Sequence, residues 1–338
     1  MRRRLLLVVL LVLVPAGVAS AAKPASWAAA EIRALGQDPT AFRPDDTVTR
    51  GELAELLASA TATAPSTIAK PGVPLSIQDL DARLVAALGL TPEAKAFTEG
   101  AKAAGLAPPS RFGTEAVARL LGLRKNHAAK DDALERLPAE PASRAEAAYS
   151  LAQIVRFRGQ ELERLHVASA TFQLPVLTDW QRQILATAFK LVGYPYVWGG
   201  TSDTRQVYGR KSVPGGFDCS GFVWRVYKLQ AYPSSGPLSA TLQGRTTYAM
   251  SGEVPKAKRV AAPELQPADV IFFGANGPRS KPAEVDHMGI YVGNGWFVHS
   301  SRYGVALERL SGWYQERFAW GRRPLAEAKL TPSLTQKR

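Results

Sequence analysis

The sequence predicts an α+β protein in which an all-α N-terminal region precedes a domain of helices and short strands. Residues 27–60 and 143–154 carry apolar side chains at helical intervals. Residues 267–299 instead consist of short β-type runs bounded by Gly, Asn and Pro. With 338 residues and 46% hydrophobic composition, the chain is long and apolar enough for two domains with real cores.

Residues 1–21 are predicted to be a secretory signal peptide. Three arginines at positions 2–4 precede an apolar run at 5–14, and small residues follow at 19–21. Because that run is shorter than a membrane span requires, we expect a secreted, cell-wall-associated protein without stable membrane insertion. An uncleaved N-terminal anchor is the alternative.

The formal net charge of +13 favours an anionic partner. The sequence has neither zinc-finger spacing nor a phosphate-loop motif, so nucleic acid is not expected. For an exported protein, an acidic cell-wall polymer or lipid head groups are the partners that this charge favours.

Residues 22–158 contain a repeated helix start. Two segments read Ser/Thr-Arg-x-Glu, the spacing of a capping box, and each precedes a run of apolar residues at helical intervals. They are residues 49–52 and 143–146. A degenerate copy without the arginine is predicted at residues 102–116.

This region resembles the surface-layer homology (SLH) repeat, a helical module of bacterial envelope proteins. The resemblance implies binding of an anionic cell-wall polymer through Arg50 and Arg144, since a guanidinium group suits carboxylate and phosphate. The alternative is that each arginine is solvated or pairs locally. Residues 159–177 are predicted to link this region to a second domain at 178–325, and residues 326–338 to form a basic tail.

Cys219 is the only cysteine, and it stands where a glycine-containing loop meets a predicted helix. A helix N-terminus and a neighbouring imidazolium both favour the thiolate, which makes Cys219 a candidate nucleophile. His287 and His299 lie on two predicted strands joined by an Asn-Gly turn at 294–295, which predicts an antiparallel hairpin. We therefore expect His287 to act as the base and His299 to orient it.

Backbone amides near Cys219 are suited to stabilise an oxyanion. A zinc site is the main alternative use of one cysteine and two histidines, although it would lack a clear fourth ligand.

Five motifs in order resemble the NlpC/P60 cysteine peptidases. They are residues 196–200, 217–222, 267–273, 287–293 and 298–300. The resemblance implies a papain-like α+β fold over about residues 179–324 and hydrolysis of peptidoglycan stem peptides, commonly between D-γ-glutamyl and diaminopimelate residues. It implies no metal or other cofactor.

The same resemblance assigns Cys219 as nucleophile, His287 as general base and acid, and His299 as the orienting residue. It also implies three substrate-binding residues, with the carboxylate of Asp218 meeting a substrate amine. These three are Tyr196, Asp218 and Ser220.

Residues 201–216 are longer than the family's usual link and carry three basic residues. They either contact the stem peptide or glycan or form a solvated loop. Together these features predict a secreted peptidoglycan endopeptidase. An acyltransferase or amidase on the same fold and a non-catalytic wall-binding protein are the alternatives.

Overall fold

A computed structural model describes residues 26–61, 63 and 67–330. The predicted signal peptide, residues 1–21, lies outside the described residues, and so do residues 331–338 of the predicted basic tail. None of the helices in the described part has the length and apolar character that crossing a membrane requires.

The N-terminal half is built from helices, with a 3₁₀ helix at Ala129–Leu134. Its α-helices are α1 Ala29–Ala34, α2 Arg50–Thr61, α3 Ile77–Ala87, α4 Thr91–Ala103, α5 Phe112–Leu120, α6 Arg144–Arg156 and α7 Gln160–Ala170.

Capping boxes begin three of these helices. The boxes predicted at 49–52 and 143–146 both form. The degenerate copy predicted at 102–116 is wrong, because α5 begins there without a side-chain cap, and the third box lies at 76–79 instead. Isolated β-bridges between the segments that precede the boxes gather the three helix starts in one place.

The predicted linker, residues 159–177, is a folded part of the molecule. It contains α7, and its Phe172 ring lies 5.2 Å from the ring centre of Phe97 and 5.2 Å from that of Trp296. Burial of these rings ties the segment to both halves of the chain.

The C-terminal half combines short helices with a sheet, which confirms the predicted α+β class for this half. Its helices are α8 Asp179–Lys190, α9 Cys219–Trp224, α10 Leu238–Thr241, α11 Thr247–Gly252, α12 Trp313–Arg317 and α13 Pro324–Glu327. Its strands are β1 Thr201–Ser202, β2 Gln206–Tyr208, β3 Lys211–Val213, β4 Gly216–Phe217, β5 Val270–Gly274, β6 Val285–Gly293, β7 Trp296–Ser301, β8 Gly304–Arg309 and β9 Phe318–Arg322.

The main sheet has the strand order β8-β7-β6-β5-β9, and every neighbouring pair is antiparallel. Asn294 and Gly295 have φ angles of 49° and 77°, as a tight hairpin turn requires, and they join β6 to β7 as predicted. His299 pairs with Gly289 across this hairpin, two residues beyond His287. Because side chains alternate along a strand, both histidines project from the same face of the sheet.

One continuous cluster of buried apolar side chains joins the two halves. Phe112 of α5 stacks on Phe189 of α8 with ring centres 4.6 Å apart. Phe97 of α4 packs edge-on against Trp296 of β7 at 5.9 Å. The N-terminal region therefore shares its core with the C-terminal domain and is not a separately folded attachment.

The predicted basic tail begins later than residue 326. Leu325 and Ala328 are buried, and Arg322 forms an ion pair with Glu327 at 2.9 Å. The apolar side chains of this segment pack against the domain, so the chain stays folded through residue 328.

Candidate active site

Cys219 is the first residue of α9, and Asp218 caps this helix. The Asp218 carboxylate accepts a hydrogen bond from the backbone N–H of Gly221. A Cβ atom at Gly221 would lie 1.9 Å from the carbonyl oxygen of Gly200. Glycine at this position therefore lets the start of the helix approach the loop that contains Gly200.

The Cys219 thiol is half-buried, and its Sγ lies 3.3 Å from the Thr247 hydroxyl. Burial raises the pKa of this thiol above its ordinary value, although the Thr247 hydroxyl and the backbone N–H groups of Ser220 and Cys219 act to lower it. Desolvation is the largest of these effects, so burial of the thiol opposes the thiolate that the helix start is expected to favour.

His287 and His299 are hydrogen-bonded to each other, with Nε2 of His287 at 2.6 Å from Nδ1 of His299. Phe297 and Tyr314 flank the His299 ring, with ring centres at 4.7 Å and 5.2 Å. These aromatic neighbours fix the orientation of the pair.

Both histidines are neutral at neutral pH. Burial lowers the pKa of His287 to about 4. Burial also lowers the pKa of His299 well below its ordinary value, and the nearby His287 adds to this effect. With both rings uncharged, one of the two facing nitrogens donates a proton and the other accepts it.

The fold brings the thiol and the histidines into one region, because α9 packs against β6 and β7. Tyr196 belongs to the same region: burial raises the pKa of its phenol, and the nearby Cys219 and Asp218 raise it further. The residues predicted to line the pocket thus surround the start of α9.

Arg245, which the sequence reasoning missed, completes this arrangement. Its guanidinium donates to the Ser220 hydroxyl at 2.7 Å and to the Gly199 carbonyl at 3.0 Å, and lies 3.4 Å from Asp218 Oδ1. Asp218 also accepts from the Ser220 hydroxyl at 3.0 Å and from the Gly199 N–H at 2.9 Å. Both carboxylate oxygens of Asp218 are therefore already engaged in organising the helix start.

Thr247 is the second residue that the sequence reasoning missed. Arg245 and Thr247 flank Thr246, whose hydroxyl caps α11. The sequence Arg-Thr-Thr before a short helix is the only feature that could have pointed to these two residues. It looks the same as an ordinary helix cap, so it did not indicate a functional role.

The inserted residues 201–216 form two small antiparallel pairs, β1 with β4 and β2 with β3. Arg205 donates to both carboxylate oxygens of Glu140 and to the carbonyl of Glu135. This side chain joins the insertion to the N-terminal region, whereas Arg210 is exposed at the hairpin tip.

The two arginines of the N-terminal repeat have different surroundings. Arg144 donates to Glu52 at 2.7 Å and stacks over the Phe42 ring at 4.8 Å, so its guanidinium is used inside the region. Arg50 lines a groove of about 550 Å³ between α2 and α3, together with Arg83. The buried Nε of Arg50 has no hydrogen-bond partner among the described residues.

Within residues 26–61, 63 and 67–330, no three His, Cys, Asp or Glu side chains are grouped as a metal ion would require. The zinc alternative therefore finds no ligand set in that part of the chain.

Residues 193–323 match the model of the NlpC/P60 family, so the chain contains an NlpC/P60 domain. The chain is 36% identical over 132 residues to the probable peptidoglycan endopeptidase LytE of Bacillus subtilis. The aligned residues cover 39% of this chain and 30% of LytE. It is 33% identical over 140 residues to the murein DD-endopeptidase MepH of Escherichia coli, covering 41% of this chain and 43% of MepH.

A third relative is the gamma-D-glutamyl-L-lysine dipeptidyl-peptidase of Bacillus subtilis, 31% identical over 128 residues, or 38% of this chain and 34% of that protein. The matches thus span between 30% and 43% of the length of these three relatives. The family match begins at residue 193, after the helical N-terminal region.

Proposed function

We propose that this chain is a cysteine peptidase that hydrolyses the stem peptides of peptidoglycan. The observation that carries the proposal is the hydrogen-bonded pair of His287 and His299, which lies on the two strands against which the Cys219 helix packs. The NlpC/P60 domain and the names of its relatives support the substrate class.

In the first step, Sγ of Cys219 attacks the carbonyl carbon of the scissile amide. Nδ1 of His287 takes the thiol proton, which requires the tautomer in which Nε2–H of His287 is donated to Nδ1 of His299, 2.6 Å away. The carbonyl electron pair moves onto oxygen, where backbone N–H groups at the start of α9 stabilise the negative charge.

In the second step, the C–N bond breaks and the His287 imidazolium gives its proton to the leaving amine. A water molecule, deprotonated by His287, then attacks the thioester and releases the carboxylic acid and the Cys219 thiol. Because burial raises the pKa of the Cys219 thiol, proton transfer to His287 accompanies the first attack in this mechanism.

The scissile bond that we propose joins D-γ-glutamyl to diaminopimelate. The relatives do not assign this bond to the chain: one is named for a DD bond and another for a gamma-D-glutamyl-L-lysine bond, at similar identity. The choice rests on the motif resemblance around Cys219 and His287.

Digestion of purified sacculi by the wild type and by Cys219→Ala, followed by muropeptide analysis, tests the proposal. We expect new products with a free D-glutamyl carboxylate and a free diaminopimelate amine, from the wild type only. If Cys219→Ala also forms these products, Cys219 is not the nucleophile. Transfer of the acyl group to an amine would indicate an acyltransferase, hydrolysis of a different amide bond an amidase, and binding without products a wall-binding protein.

We further propose that the protein is exported through residues 1–21 and retained at the cell wall by the N-terminal region. The proposed contact with an anionic polymer rests on Arg50 and Arg83, the two guanidinium groups at a groove whose other lining residues are mostly apolar. Arg144 contributes to this role only by holding α2 and α6 together through Glu52.

A wall pull-down tests the polymer contact. Arg50→Gln is expected to weaken retention on wall that carries anionic polymer, whereas Arg156→Gln, on the exposed end of α6, serves as the matched control. Equal retention of both variants would remove Arg50 from the proposal.

A further inference from the structure

The loop that carries Tyr196 is held in place by side chains outside the NlpC/P60 domain. We define residues 193–200 as the substrate loop. We propose that Asn126 and Asp132 are positioning residues that set the place of Tyr196 in the substrate pocket. This inference rests on the proposed peptidase function and concerns how its pocket is built.

The substrate loop has backbone donors on two sides. Several of these donors bond to acceptors in the C-terminal domain. The N–H of Gly193 donates to the Val305 carbonyl at 2.9 Å, that of Val197 to the Phe217 carbonyl at 3.3 Å, and that of Gly199 to the Asp218 carboxylate at 2.9 Å.

The N–H groups of Tyr196 and Trp198 face the other side. Tyr196 N–H donates to Asn126 Oδ1 at 2.9 Å, and Trp198 N–H donates to Asp132 Oδ2 at 3.1 Å. Each buried backbone donor needs a hydrogen-bond partner. The N-terminal region therefore supplies the partners that the peptidase domain cannot reach.

The same region also binds the carbonyl groups at the beginning of the loop. The buried Arg119 donates to the carbonyl oxygens of Gly193 at 2.5 Å and Tyr303 at 2.6 Å. Arg111 donates to the carbonyl oxygens of Lys190 and Val192. The N-terminal half thus also holds the Gly193 carbonyl and the residues that directly precede the loop.

The segment that carries Asn126 and Asp132 is itself immobilised. Arg124, with 5% of its surface exposed, lies 3.7 Å from Asp81 and 3.8 Å from Glu146. The Glu135 carboxylate accepts the backbone N–H of His127. A buried network of this kind preorganises the two acceptors for the loop.

The position of the substrate loop is expected to affect substrate binding more than the chemical step. The phenol of Tyr196 lies near Cys219, whereas the His287 and His299 pair is held by the sheet and its aromatic neighbours. Displacement of the substrate loop would therefore weaken substrate binding and leave the reactivity of the thiol nearly unchanged.

The test uses five variants of the full chain. Asn126→Leu and Asp132→Leu remove each acceptor at similar volume, whereas Asn126→Asp and Asp132→Asn retain an acceptor oxygen. Asp131→Leu is the matched control, because Asp131 belongs to the same 3₁₀ helix and its carboxylate lies beside Lys130 at 4.0 Å.

For each leucine variant we expect KM for a soluble stem peptide to rise about tenfold, which corresponds to the loss of about one hydrogen bond. We expect kcat and the rate of Cys219 alkylation by iodoacetamide to change less than about threefold. The Asn126→Asp, Asp132→Asn and Asp131→Leu variants should retain the wild-type KM. An unchanged KM in the leucine variants would overturn the proposal. So would a raised KM together with slower Cys219 alkylation in the acceptor-retaining variants.

Amide hydrogen exchange separates this inference from the proposed function. The amides of Tyr196 and Trp198 should lose protection in the leucine variants and keep it in the acceptor-retaining variants, whether or not the protein cleaves stem peptides. A wild type that cleaves nothing but shows this pattern would remove the peptidase function and preserve the positioning role. Full protection in the leucine variants would contradict the positioning role itself.

Discussion

Two opposing influences set the reactivity of Cys219. Burial raises the pKa of its thiol, and the Thr247 hydroxyl, 3.3 Å from Sγ, lowers it by stabilising the thiolate. A helix start alone does not decide the outcome, because desolvation of the anion is the larger effect.

Thr247→Val should therefore raise the pKa of the Cys219 thiol further. One lost hydrogen bond to a charged sulfur corresponds to a three- to tenfold slower alkylation at pH 8, on the order of 1 kcal/mol. The rate of iodoacetamide reaction as a function of pH measures this. Thr241→Val, whose hydroxyl donates instead to the Leu238 carbonyl, is the control, and an identical pH profile of both variants would contradict the role of Thr247.

The pKa of His287, about 4, predicts the acidic limit of activity. In the proposed mechanism His287 must be neutral to accept the thiol proton, so kcat/KM should stay level from pH 7 to pH 5.5 and fall as the pH approaches 4. A half-maximal point near pH 6.5 would instead indicate a solvated histidine and contradict the burial argument.

Protonation of His287 also affects folding. The proton binds the unfolded chain more tightly, since the folded pKa lies below the ordinary value of 6.5. The contribution of His287 to the free energy of unfolding should therefore decrease as the pH falls from about 6.5 to about 4, and denaturant titration of the wild type and His287→Gln at several pH values would measure it as a difference.

At the scale of secondary-structure elements, the packing of α9 against the substrate loop depends on Gly221. A methyl group there would lie 1.9 Å from the Gly200 carbonyl oxygen, so either the helix or the loop must move. We expect Gly221→Ala to lower the free energy of unfolding by about 3 kcal/mol and to abolish activity.

Gly252→Ala provides the control for this substitution. Its added methyl group would contact only Pro282 at 3.5 Å, an ordinary van der Waals distance at the end of α11. Chemical denaturation of both variants compares the two sites, and equal stability would show that the contact with Gly200 does not constrain α9.

Elements that depend on neighbouring residues could be predicted from the sequence. The boxes at 49–52 and 143–146 and the turn at 294–295 satisfy their hydrogen bonds within a few residues, so composition and spacing reveal them. The folded state of residues 159–177 could not be predicted in this way. Their packing depends on Phe97 and Trp296, which are distant in the sequence.

For the whole molecule, the shared core predicts that the two halves unfold together. Phe112→Ala should remove its stacking on Phe189 and destabilise both halves by about 3–5 kcal/mol. Hydrogen exchange of the amides in α3 and β6 reports on the N-terminal and C-terminal halves separately. Loss of protection confined to α3 would show that the halves are independent.

The sequence alone determined the α+β class of the C-terminal half and the hairpin that joins His287 to His299, because these features depend on local spacing, and its motifs nominated Cys219, His287 and His299 as the candidate reactive residues. Tertiary structure decided the burial that raises the pKa of the Cys219 thiol, the contacts of Arg245 and Thr247, and the hydrogen bonds from the substrate loop to Asn126 and Asp132. Burial and contacts between distant segments set all of these. Hydrophobic and capping patterns do not predict such contacts, because they indicate which face of an element is buried but not which residues cover it.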